Sequence, residues 1–152
     1  RFRSNKIFSR INSCELSNGI RVVTEAIPSV RSASICVLVS ASPQDEPEDK
    51  GGLAHFTDHA HFQGTSNRNS TAIAKLIDES GGQLGGFTGR DYTCSYANVM
   101  DDNVTIAIDL LGDILLNSTF PEQNLARARE AIVHEIVMSL DYRLNLVHQT
   151  IR

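Results

Sequence analysis

The chain has no apolar run near the ~18–20 residues that a membrane span requires, which excludes a transmembrane helix. It has no excess of basic charge either. The formal net charge is −4, and a nucleic-acid module ordinarily carries a basic patch, so that class of partner is excluded. Cysteine is sparse: Cys14, Cys36 and Cys94 are widely spaced and odd in number. They form neither a disulfide framework nor a CxxC metal knuckle. They read as reduced, mostly packed thiols, as in a reducing compartment. No fixed-period repeat and no low-complexity tract interrupts the 152 residues. What remains, 41 % hydrophobic and 21 % charged residues, describes an ordinary folded chain long enough to bury one core.

The first thirteen residues carry Arg1, Arg3, Lys6 and Arg10 with several serines and no acid. They share that composition with the tail of an organellar transit peptide, and read more simply as a solvated basic extension over 1–13. The domain then occupies 14–152. It ends at Arg152 inside a run that looks helical, so it is expected to continue further.

Ser17-Asn18-Gly19 signals a turn before the β-rich run from Ile20 to Thr24. The run Ser32–Ala41 is apolar on both faces and reads as a central strand. Ser42–Asp49 reads as an exposed acidic loop. A short helix over 51–62 follows, entered from Asp49 or Lys50. A second over 70–80 is capped by Asn69 or Ser70, has Ile73, Leu76 and Ile77 as one stripe, and is stopped by Gly81-Gly82. Strands over 83–88 and 92–100 flank the turn Gly89-Arg90-Asp91. A third helix opens at Asp101-Asp102 and ends near Asn117, and Pro121 starts a long fourth. This order predicts an α+β fold with helices packed on one side of a mainly antiparallel sheet.

Within the first helix stands His55-Phe56-Thr57-Asp58-His59. Two histidines one turn apart project from one face, and each can give one ring nitrogen to a single cation. Asp58 lies beside them. A catalytic zinc site takes three protein ligands and keeps one position open, and the fourth helix offers Glu130, His134 and Glu135 for the third. The glycine run 81–86 follows a helix and enters a strand, the reverse of a phosphate-binding loop.

The pattern His-x-x-acid-His, with a distant glutamate in Arg129-Glu130-Ala131-Ile132-Val133-His134-Glu135, resembles the inverted zinc motif of the pitrilysin family of metallopeptidases. The flanks agree: Gly51-Gly52-Leu53-Ala54-His55-Phe56, Phe62-Gln63-Gly64-Thr65, Phe87-Thr88, Asp91-Tyr92-Thr93, the run Leu110–Ser118 and Glu15-Leu16-Ser17-Asn18-Gly19-Ile20. The resemblance implies one zinc ion on His55, His59 and Glu135, with Asp58 as general base, in an endopeptidase acting on extended or unfolded polypeptide. It implies a substrate held as a strand along Leu84–Thr88, with Gly85, Gly86 and Phe87 in backbone contact. It also implies a second homologous domain or subunit to enclose the chamber, and a cytoplasmic or mitochondrial-matrix setting. His61 and His134 lie off the ligand faces and read as surface or supporting histidines.

The chain departs from the family pattern where the chemistry would sit. Active members carry glutamate where Asp58 stands, and the missing methylene withdraws the carboxylate by about 1.3–1.5 Å. A general base must reach within ~2.6–3.2 Å of its proton, and a misplacement of about 1 Å costs on the order of a hundredfold. A further family glutamate, two turns before the ligand glutamate, is Ala128 here, and Gly85-Gly86 stands where Asn-Ala is common. These departures predict an impaired peptidase. The alternative is a non-catalytic family partner or core subunit that binds substrate or serves structurally.

Overall fold

The computed structural model describes residues 10–141, and the chain divides into two compact units between residues 32 and 33. The first is a hairpin. Strand β1 (Arg10–Glu15) pairs antiparallel with β2 (Arg21–Ala26), with Cys14 opposite Val22. The turn falls where Ser17-Asn18-Gly19 places it. Gly19 sits at φ 86, a conformation open to a residue without a Cβ, and the Leu16 amide donates to the Ile20 carbonyl at 2.8 Å. Arg10 to Ser13, read from composition as part of a basic extension, form the first part of β1.

In the second unit, β3 (Ser32–Val39), β4 (Gln83–Thr88) and β5 (Thr93–Met100) form a sheet in the order β3-β5-β4. β4 and β5 are antiparallel, with Leu84 opposite Ala97 and Gly86 opposite Ser95. The Gly89 amide closes their turn by donating to the Tyr92 carbonyl at 2.8 Å. β3 was expected at the centre, but among the described residues it lies at the edge. Its Ala33, Ile35 and Val37 pack against the core, whereas Leu38 on the other face is 63 % exposed. The apolar residues of that second face mimic a strand buried on both sides.

The helices are α1 (Leu53–Ala60), α2 (Ser70–Glu79), α3 (Val104–Asn117) and α4 (Glu122–Asp141). Asn69 caps α2, its side-chain oxygen accepting from the Ala72 amide at 2.8 Å. The stripe of α2, Ile73 and Ile77, meets Ala107, Leu110, Leu111 and Ile114 of α3 over Ala97 and Val99 of β5. Because strand side chains alternate, Leu84, Gly86 and Thr88 share that same helix-covered face of the sheet. Helices therefore cover one face, as the α+β pattern predicts. Cys94 is buried, but Cys14 and Cys36 are exposed, which corrects the expectation of mostly packed thiols. No helix among the described residues is long and apolar enough to cross a membrane.

Candidate metal centre

Two devices hold α1 in place. Its N-terminus is capped from a distance: the Glu46 carboxylate accepts from the Gly52 amide at 2.7 Å and the Ala54 amide at 2.6 Å. An acid there satisfies orphan donors and complements the helix dipole. Gly52 sits at φ 95, a turn that suits glycine. The preceding segment is also more ordered than an acidic loop, since Ser42 and Asp45 form a capping box around a 3-10 turn at Pro43–Asp45. Glu46 was not legible in the sequence, because a cap reaching forward six residues has no periodic signature.

At its other end, α1 is tied to the helix that supplies the distant glutamate. The Asn124 side chain in the first turn of α4 donates to the Gln63 carbonyl at 2.9 Å. α4 thus runs from the segment after α1 back along α1, and Glu135 arrives beside the histidine pair. The rings of His55 and His59 lie edge to face at 4.9 Å. Glu135 Oε2 is 3.2 Å from His55 Nε2 and 3.4 Å from His59 Nε2, and the three donor atoms all lie within 4.8 Å of one another.

This geometry can be tested against a metal. Ligands about 2.1 Å from a tetrahedral zinc stand about 3.4 Å apart, and the 3.2 and 3.4 Å separations of Glu135 from the two imidazoles match that spacing. Two imidazoles and a carboxylate are a zinc donor set that leaves one position open. The donor set fits the ion. Of the three acid and imidazole candidates on α4, Glu135 alone joins the pair. His134 faces a shallow cleft with Arg129, Glu130 and Val133.

Asp58 lies on α1 but is not one of the converging donors. It is 7 % exposed, and its Oδ1 has no hydrogen-bond partner. Burial pushes its carboxyl above the usual range, against the opposing pull of His59 and His55. The carboxylate fills the space that a Cβ on Gly86 would need. The Thr88 hydroxyl, also buried and without a completed hydrogen bond, flanks it from β4.

The strand residues expected to meet substrate all lie on β4, which among the described residues pairs only with β5. Phe87 is 45 % exposed and meets Tyr92 edge to face at 6.0 Å. Gly85 lies beside the Tyr96 ring, closer than a Cβ would allow. Ala128 is buried on α4 at 2 % exposure, so a methyl occupies the position of the missing glutamate. His61 is buried rather than at the surface. Its Nε2 lies 3.3 Å from the Ser95 hydroxyl, and burial lowers its pKa. His148 lies outside the described residues.

The family profile described as Insulinase (Peptidase family M16) matches residues 21–152. The chain is 38 % identical over 131 residues to the uncharacterized zinc protease YmxG of Bacillus subtilis, covering 86 % of this chain and 32 % of that protein. It is 41 % identical over 121 residues to the probable mitochondrial-processing peptidase subunit beta of Arabidopsis thaliana, covering 80 % of this chain and 23 % of that one. A protease from Helicobacter pylori shares the fold with a TM-score of 0.81 at 21 % identity, over 91 % of this chain and 33 % of the other. Pitrilysin superposes with a TM-score of 0.80 at 24 % identity, over 89 % of this chain and 14 % of its own length. The chain thus spans a third or less of these proteins.

Proposed function

The chain belongs to the insulinase peptidase family M16, and on that premise we propose that it forms the metal-bearing unit of a zinc endopeptidase acting on extended polypeptide. The observation that carries this reading is the meeting of His55 Nε2, His59 Nε2 and Glu135 Oε2 at 3.2 and 3.4 Å. His55, His59 and Glu135 would hold a zinc ion there, which would supply an acidified water and polarisation of the scissile carbonyl. His55 and His59 would each offer a ring nitrogen from one helix turn, and Glu135 a carboxylate oxygen from α4. Asp58 takes the proton of the attacking water and returns it to the departing amine. Its buried, unpartnered Oδ1 leaves a lone pair for that task. The outer edge of β4 receives substrate backbone as an added strand, with Gly85, Gly86 and Phe87 along it. A second homologous domain or subunit completes the chamber.

Two observations favour a second reading, a non-catalytic family partner. Asp58 points its carboxylate into the space left by Gly86, and Ala128 buries a methyl where a supporting glutamate belongs. Metal analysis separates the two, run on the purified protein beside His59→Ala with an unfolded peptide as substrate. One zinc per chain, its loss in His59→Ala, and cleavage by the parent are expected. Zinc without cleavage, rescued by Asp58→Glu, identifies an impaired site. Absence of zinc from the parent overturns the metallopeptidase reading.

A further inference from the structure

The sheet carries a second cluster of reactive side chains on the face opposite α2 and α3. Cys36 of β3 and Cys94 of β5 bring their sulfurs to 2.6 Å, on strands that are neighbours in the sheet. Paired strands lie about 4.7–4.9 Å apart, inside the ~4.4–6.8 Å between Cα atoms that a disulfide tolerates. The zinc reading uses neither thiol. We propose that Cys36 and Cys94 are a redox pair that closes to a disulfide between β3 and β5 by exchange with a low-molecular-weight disulfide.

The order of events follows from access. Cys36 is exposed, whereas Cys94 is only 2 % exposed, so Cys36 meets the oxidant first. Its thiolate attacks one sulfur of the small disulfide, forming a mixed disulfide and releasing one small thiolate. Cys94 then gives up its proton and attacks the Cys36 sulfur, releasing the second. Two protein thiols lose two electrons in all. The small disulfide gains them, and its two thiols take the two protons. Burial, and then the hydrogen bond and charge of Cys36, push the Cys94 thiol up to about 12. The mixed disulfide removes the Cys36 contribution at the moment Cys94 must act. The bond would clamp the sheet's edge strand to β5, whose Cys94 carbonyl lies behind Gly86.

The test treats the intact native protein with glutathione disulfide, denatures it under alkylation, and reads the mass without reduction. Cys36 and Cys94 should both escape alkylation and together weigh two hydrogens less than the reduced pair, whatever glutathione the exposed Cys14 takes up. A digest should contain a peptide linked through Cys36 and Cys94. Cys94→Ser should stop at one glutathione on Cys36, and Cys36→Ser should leave Cys94 reduced. Three alkylated thiols in the treated parent, a glutathione that persists on its Cys36, or linkage through Cys14 would each overturn the pair.

Discussion

Among the described residues, two aspartates are buried, Asp113 and Asp58, and their surroundings are opposite. Asp113 on α3 is saturated. Its carboxylate accepts from Asn67 at 2.7 Å, Asn117 at 2.9 Å, Thr65 at 2.8 Å and Arg68 at 2.5 Å. Burial pushes against ionisation, yet the donors from Asn67, Asn117, Thr65 and Arg68 together hold the carboxyl well below the usual carboxylate range. Asp58 on α1 has an oxygen with no partner and a carboxyl raised by burial. The same side chain is a permanent anion in one place and a group with spare proton affinity in the other. A structural carboxylate uses its lone pairs to tie segments together, here the loop before α2 to α3. A carboxylate left partly unpaired costs stability and is accounted for by chemistry or by an altered site.

The contrast can be broken from either side. The largest effect is expected at Asp58: Asp58→Asn should lower peptide turnover about 10²–10⁴-fold, with metal stoichiometry unchanged and the urea midpoint raised rather than lowered, since a buried charge is removed. Removing the saturated partner should do the reverse. Asp113→Ala strands several donors at once and should cost about 3 kcal/mol of stability, read from the shift in urea midpoint. Its pH signature has a definite sign. The folded pKa of Asp113 lies below the unfolded value of ~3.9, so its stabilisation is complete above that value and disappears as pH falls through the folded one. The parent should lose stability on acidification below about pH 4 more steeply than Asp113→Ala.

Two smaller changes sharpen the comparison around Asp58. Gly86→Ala places a methyl where the Asp58 carboxylate lies. It should lower turnover on the order of a hundredfold through displacement of the acid, without loss of zinc measured by metal analysis. Glu46→Gln weakens the cap that starts α1 and should cost about 1 kcal/mol in thermal or urea unfolding. An equal loss of turnover in Gly86→Ala and Glu46→Gln would mean that α1 as a whole, rather than the aspartate, had moved.

Much of this was legible in the order of residues, and the reasons are local. Helix periodicity at Ile73, Leu76 and Ile77, the stop at Gly81-Gly82, and the turn at Gly19 depend on near neighbours. So does the common face of His55 and His59, which one helical turn fixes. The matched motif, with its flanks, also singled out Glu135 from Glu130 and His134. Distance in the chain set the limit. The reach of Glu46 to α1, the burial of His61 against Ser95, the fit of Asp58 into the space over Gly86, and the approach of Cys36 to Cys94 each join segments with no shared period. Such contacts exist only once the sheet and helices have packed, because they depend on where two faces meet rather than on what either face contains.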